Sequence, residues 1–305
     1  MSLKSLAQAS LRQSYPITRF YHGCKLRWEG HRSSDKILIY QMGKVGSTTI
    51  WHSLEQLGLK APIYHIHTLN PEHIQQKLRK IRENFSQSRF IYLDVVQAAY
   101  LQNQLIHENF DHPWSVITLV RDPMRQILSS FIQLLEKELK LGNDYRHRVK
   151  TEGYDKVLDE IISRFKKEYV HNLNRQHPFT WFEHNLERHL NIDIFSFSPL
   201  AGTDFQIYEG SKVRVLLLKL ESLNDCYQQA FKSFLGIDNF RLISANVGNQ
   251  KRYKDLYKQF LNHIELPQSY IERIYDFKLL KHFYTDAEIQ AFASQYRTLP
   301  NTCGV

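Results

Sequence analysis

No stretch of this sequence approaches the ~18 uninterrupted apolar residues that a membrane-spanning helix needs. The opening segment, MSLKSLAQASLRQSYPITRFYHGCKLRWEGHRSS, also lacks the apolar core of a secretory signal. Cysteine is scarce: Cys24, Cys226 and Cys303 are odd in number, far apart and without metal-ligand spacing. They read as ordinary thiols in a reducing compartment, and a cytoplasmic protein is the expectation. There is no internal repeat and no low-complexity tract. Acidic residues are outnumbered, 31 Asp and Glu against 40 Lys and Arg, which leaves a formal charge of +9. That excess suits a solvated basic surface. It equally suits attraction for a polyanionic cofactor, an acidic glycan or an anionic membrane face, the last as peripheral contact through the basic N-terminus. No recognisable nucleic-acid-binding module accompanies the charge, and charge alone does not choose among the others.

What is present is core-forming material, 42% hydrophobic and 13% aromatic over 305 residues, ample for one large α/β domain with appended helices. Residues 1–35 read as a basic N-terminal arm. From Lys36 a rhythm of strand, turn and helix begins, predicting a single α/β domain over 36–305. KILIYQM is a short run of β-formers suited to a strand buried on both faces. Beyond it, Ile50, Trp51, Leu54 and Leu57 recur at helical spacing, and Gly58 is a natural stop. APIYHIHTL is the next strand, followed by a helix with Asn70 as cap and Pro71 in first position. RFIYLDV reads as a third strand and WSVITLV as a fourth, which ends in Arg121-Asp122-Pro123. A helix follows, with Ile127, Leu128, Phe131, Leu134 and Leu135 on one stripe. A helical insertion is expected over about 136–190, with WFEHNLERHLN its clearest amphipathic piece. KVRVLLLKL completes the sheet, and the part from Asn224 reads as helical. Strands alternating with helices imply a doubly wound, mostly parallel sheet.

In such a sheet, ligands bind at the carboxyl ends of the strands, where the loop GKVGSTT stands. Glycine lets backbone approach closely, and a helix N-terminus offers unpaired N–H groups and a positive dipole end. Ser47, Thr48 and Thr49 add hydroxyls and Lys44 a mobile charge, which is phosphate-type chemistry. The triphosphate loop G-x-x-x-x-G-K-[ST] has its lysine after the second glycine. Here Lys44 precedes Gly46, so the order is inverted. A plainer reading is a loop that caps a helix, with Lys44 in solvent.

In VRDPMRQILSSF, Arg121 ends a strand and Ser129 lies within the next helix. A guanidinium fork and a hydroxyl on adjacent elements can grip a second phosphate; the plainer reading is an Arg-Asp turn and a helix-interior serine. In YHIHTLN, His65 and His67 alternate onto one face, as core residues, metal ligands or a base. No third ligand stands nearby, so no metal is implied.

A strand followed by K-x-G-S/T-T, then a later strand followed by R-[DN]-P with a serine eight residues after the arginine, resembles the sulfotransferase family. QMGKVGSTTI, WFEHNLERHLNIDIF, LLLKLESL and HFYTDAEI further resemble bacterial, sulfotransferase-like proteins of capsular polysaccharide synthesis, from about Lys36 to Phe292. The resemblance implies a three-layer, P-loop-NTPase-like sulfotransferase fold with extra helices. It implies 3′-phosphoadenosine 5′-phosphosulfate (PAPS) as donor, without a metal, and a hydroxyl acceptor on a capsular or surface carbohydrate. Lys44, Val45, Gly46, Ser47, Thr48 and Thr49 would hold the 5′-phosphosulfate, and Arg121 and Ser129 the 3′-phosphate. Lys44 would neutralise charge on the departing phosphate. A base must take the acceptor proton, and histidine suits neutral pH: His67 first, His65 second, Asp94 third.

NVGNQKRYKDLYKQF resembles a segment that closes over the nucleotide, where Asn246, Lys251, Arg252 and Tyr253 would touch adenine or phosphate; an exposed basic helix start is the plainer reading. The long R-K-G motif of cytosolic small-molecule sulfotransferases is absent. Glu221 reads as a structural cap or partner. Two other functions stay open: a P-loop NTPase or kinase, if RFIYLD is a strand ending in a metal-binding Asp94, and an inactive scaffold of polysaccharide assembly.

Overall fold

The computed structural model describes residues 14–31, 33–88, 93–107, 113–138, 144–172, 177–243, 254–296 and 298–299. Its centre is a five-stranded sheet made of β1 (Ile37–Tyr40), β2 (Ile63–Ile66), β3 (Trp114–Val120), β4 (Phe205–Glu209) and β5 (Val213–Lys219). The order is β2-β1-β3-β5-β4. All neighbours run parallel except β4, which pairs antiparallel with β5 at the edge. Mixed α/β with a mostly parallel sheet is therefore the architecture. β1 is buried along its length, as are Trp114 and the run Val215–Leu218, which explains why these strands read as continuous apolar runs rather than alternating ones.

The chain leaves β1 for β2 on one side, then crosses back to β3 on the other. That reversal makes a crevice at the carboxyl ends of β1 and β3, the place where open α/β sheets bind ligands. Helix α1 (Tyr15–His31) precedes β1 and packs Tyr15 edge-on against Phe85 at 5.7 Å between ring centroids. Helix α2 (Ser47–Glu55) follows β1 and frays through Leu57 and Gly58, whose φ of 60° lets the chain reverse. Helix α3 (Pro71–Ser88) opens as its sequence requires: the Asn70 side chain accepts from the N–H of His73 at 3.1 Å. Helix α5 (Pro123–Glu138) opens in the same way on Asp122, which accepts from the N–H of Met124 at 3.0 Å.

Two expectations are corrected. Residues 89–92 lie outside the described part, but Leu93, Asp94 and Val95 begin helix α4 (Leu93–His107) instead of finishing a strand. Asp94 is thus in a helix first turn, where an acidic group suits the dipole. The edge strand β4 has no counterpart among the expected strands; FQIYE is short and mostly half-buried, so its pattern is weak. In the region 144–190 the helices Asp144–Glu152 and Tyr154–Phe165 appear, the latter running on as a π-helical turn over Lys166–Val170. WFEHNLERHLN is π-helical over Phe182–Glu187. Such turns are uncommon and cluster at functional sites. The C-terminal part is helical, with Leu223–Leu235, Lys254–His263, Gln268–Tyr275 and Asp286–Ala293 its main pieces. No described helix is long and apolar enough to cross a membrane.

Candidate functional site

The loop after β1 turns sharply. Lys44 adopts φ 69° and Gly46 φ 86°, both left-handed, a conformation that costs a lysine energy but not a glycine. Gly46 is needed for a second reason: a Cβ there would come within 2.5 Å of Leu220 Cδ1. Val45 is fully buried, so it packs the loop onto the core. Ser47 begins α2, and Thr48 and Thr49 follow half-buried in its first turn, where a helix leaves N–H groups without i−4 partners; that of Thr49 bonds back to the Gly46 carbonyl at 3.2 Å.

The loop is tied down from both sides. Arg121, at the end of β3 and 77 residues away in sequence, donates from Nη1 to the Lys44 carbonyl at 2.9 Å. Gln126, in the first turns of α5, donates from Nε2 to the Gly43 carbonyl at 2.7 Å. Ser129 lies half-buried on α5. Beneath them, buried Asp122 accepts from the Tyr275 hydroxyl at 2.7 Å, and its N–H donates to Glu221 at 2.9 Å. Glu221 accepts in turn from Tyr284 at 2.9 Å. Asp122 and Glu221 thus anchor the C-terminal helices under the crevice. Burial pushes the Asp122 carboxyl up, with its bond from Tyr275 opposing.

The two histidines differ in what their rings do. His65 Nε2 is 2.9 Å from Ser47 Oγ and 3.2 Å from Gln41 Nε2, and its ring stacks on Trp51 with centroids 5.9 Å apart. Burial, then the neighbouring His67 and His52, lowers its pKa to about 4, so it is neutral at pH 7. His67 stands just past the end of β2. Its Nδ1–H donates to the Gln41 carbonyl at 3.1 Å, which leaves Nε2 as a lone-pair acceptor. Its own carbonyl accepts from Trp181 Nε1 at 3.0 Å. Burial holds its pKa below the ordinary imidazole value; the Gln41 bond and Asp94 oppose the shift, while Lys77 and Lys44 add to it. His67 lines a cavity of about 840 Å³, bounded also by Gly43, Gln126, Trp181 and Asn185. His65 and Asp94 are outside that lining.

Tyr40, at the end of β1, joins this cavity to the sheet. Its buried hydroxyl donates to Asn185 Oδ1 at 2.9 Å and accepts from the Leu69 N–H at 3.2 Å. Its ring meets Trp181 edge-on at 4.8 Å. The wall beyond comes from elements that no sequence spacing connects: α3, the π-helical turn Phe182–Glu187 with Arg188, and helix Gln268–Tyr275. Only the middle one carried a signal: WFEHNLERHLN places Trp181 and Asn185, four residues apart on a helical piece, on the cavity lining. Asn246, Lys251, Arg252 and Tyr253 lie outside the described residues. Among the described residues no three His, Cys, Asp or Glu side chains come together to hold a metal ion.

An α/β protein with a switch-point loop and an adjoining cavity is the class that this geometry defines. Within it, residues 150–285 match a family model described as "Putative capsular polysaccharide synthesis protein". The match covers under half of the chain: it contains about half of the cavity wall, without His67 or Lys77, and neither the Lys44 loop nor Arg121. Its description suggests a role in capsular polysaccharide synthesis. Comparison with curated proteins and with solved structures gave no match.

Proposed function

We propose that this chain is a sulfotransferase of three-layer, P-loop-like fold, moving a sulfuryl group from PAPS to a hydroxyl of a capsular or surface carbohydrate. The observation that carries this reading is the bond from Arg121 to the Lys44 carbonyl at 2.9 Å, which joins the two halves of the sulfotransferase-like pattern at the switch point. The residues present suit such a donor. The Lys44–Thr49 loop offers the first-turn N–H groups of α2, a lysine charge and hydroxyls to a phosphosulfate, with no room for a side chain at Gly46. Arg121 and Ser129 are the residues for the second phosphate. When bound, the donor supplies an activated sulfuryl group on a phosphate leaving group. Lys44 offsets charge that grows on that phosphate. His67 Nε2 accepts the proton of the attacking hydroxyl, and its Nδ1 bond to Gln41 keeps that nitrogen unprotonated and aimed. Outside the crevice, α1 exposes Ile17, Phe20 and Tyr21 beside Arg19 and Lys25, a composition suited to peripheral contact with an anionic membrane.

The kinase reading is less well supported, because it needs Asp94 at a strand end and Asp94 is in a helix first turn. Calorimetric titration with 3′,5′-adenosine bisphosphate and with ATP·Mg²⁺ separates the two. Binding of the bisphosphate is expected; a response to ATP·Mg²⁺ alone would sink the sulfotransferase reading.

A further inference from the structure

The cavity beside His67 falls within the ~300–1,000 Å³ range of small-molecule sites. Its described lining includes Lys77, Arg188 and Arg273 and not one Asp or Glu. These cations come from separate elements: Lys77 from α3, Arg188 from the end of the π-helical turn, Arg273 from helix Gln268–Tyr275. Several basic side chains elsewhere are paired with carboxylates, as in Arg164–Glu168, Arg214–Glu209 and the buried Lys219–Glu288. Lys77 and Arg188 have no such partner among the described residues. Arg273 is held by neutral groups: Nη2 donates to the Tyr169 and Val170 carbonyls at 3.4 and 3.0 Å, and the guanidinium lies 5.1 Å from the Tyr270 ring centroid. Its charge is positioned without being cancelled.

Unpaired charges of one sign around a low-dielectric concavity focus the field and concentrate ligands of the opposite sign. Lys77 is near enough to His67 for its charge to act on that ring, so the field reaches the point where the acceptor hydroxyl would lose its proton. An acceptor that itself carries negative charge would be repelled by an anionic donor. A second set of cations, distinct from Lys44 and Arg121, removes that penalty.

We propose that the acceptor is an anionic sugar, a glycan whose carboxylate or phosphate groups are held by Lys77, Arg188 and Arg273 while a neighbouring hydroxyl faces His67. This rests on reading the His67 cavity as the acceptor side of the transferase. The test is calorimetric titration of the full chain with a hexasaccharide of alternating glucuronate and N-acetylglucosamine, its carboxyl-reduced neutral counterpart, and a phosphodiester-linked hexose oligomer. At least one anionic probe is expected to bind, at least ~tenfold more tightly than the neutral chain, and which one binds tells carboxylate from phosphate. Lys77 and Arg188 are exposed, so Lys77→Ala/Arg188→Ala leaves the core intact; it should weaken that probe at least ~tenfold and leave 3′,5′-adenosine bisphosphate binding as it was. Equal affinity for charged and neutral chains, no binding of either anionic probe, or a double variant without effect overturns the proposal. So does a loss of bisphosphate binding in the double variant, which would assign the cations to the donor. An anionic probe that binds while the bisphosphate does not would leave the anionic-glycan site standing and remove the donor reading, and with it the name acceptor.

Discussion

Around the loop after β1, polar groups are spent on one another. Arg121 holds the Lys44 carbonyl, Gln126 the Gly43 carbonyl, and Ser47 the His65 ring. Along the cavity wall, Lys77 and Arg188 stand without carboxylates and Arg273 rests on carbonyls. The loop is a preorganised shape, suited to a ligand that is the same at every turnover. The wall is a field more than a mould, suited to a charged chain whose exact fit matters less. His67 is the seam: its ring bonds to the end of β1, and its carbonyl takes the Trp181 indole N–H from the wall.

The largest expected effect breaks that seam. His67→Ala should lower turnover ~10²–10⁴-fold, the usual worth of a general base, while bisphosphate binding stays intact. Because burial holds the His67 pKa below its ordinary value, the rate of the parent should stay level through neutral pH. It should fall only as the pH drops below the imidazole range, where Nε2 takes a proton from solvent. Normal turnover by His67→Ala would place the base elsewhere.

Next in size is the loop itself. Lys44→Ala should cost ~10²–10³-fold in turnover, on the scale of losing one preorganised charge stabiliser, and weaken the bisphosphate. Arg121→Ala should weaken the bisphosphate too, and it also releases the Lys44 carbonyl. Bisphosphate titrations of both variants check this; unchanged affinity in either would detach that residue from the donor.

Tyr40→Phe sharpens the contrast between the regions. It strips the hydroxyl that joins Asn185 to the Leu69 N–H and leaves two buried polar groups unpaired, at a cost of ~1–3 kcal/mol. The damage should fall on the wall: thermal unfolding moves down and carbohydrate affinity drops, whereas bisphosphate affinity holds. Equal loss of both affinities would show that loop and wall are one cooperative unit.

Much of the loop region was legible in the sequence. KILIYQM and WSVITLV are long enough apolar runs, closed by strong turn residues, to read as buried strands. Asn70-Pro71 and Asp122-Pro123 carry their own capping chemistry. Lys44 and Arg121 could be read as serving two phosphates of one ligand, although nothing short of the sheet order shows that β1 and β3 are neighbours. RFIYLDV misled because a short run of β-formers cannot be told from the entry to a buried helix by periodicity alone, and Leu93 onward is helical. The wall was not legible. Lys77, Arg188 and Arg273 meet through tertiary packing, and one cation on an amphipathic helix looks like any other solvated residue.

The smallest effect expected concerns acid stability, and it separates the histidines by role. Burial lowers both His65 and His177 to about 4. His177 bonds the Ile274 carbonyl at 3.0 Å, accepts from the Phe179 N–H at 3.2 Å and stacks on Phe277 with centroids 3.9 Å apart. It is a structural strut, although it lines the cavity. In the unfolded chain each ring takes its proton near pH ~6.5, whereas in the folded chain each waits until about 4. Between those values the unfolded state binds more protons, so stability is full above pH ~6.5 and drains as the pH falls toward ~4. Melting temperatures measured from pH 8 to pH 4 should therefore decline through that window. His177→Gln should flatten the decline while lowering stability at neutral pH. A flat profile in the parent would mean that these rings are solvated, and that the seam around His67 is wetter than its bonds to Gln41 and Trp181 require.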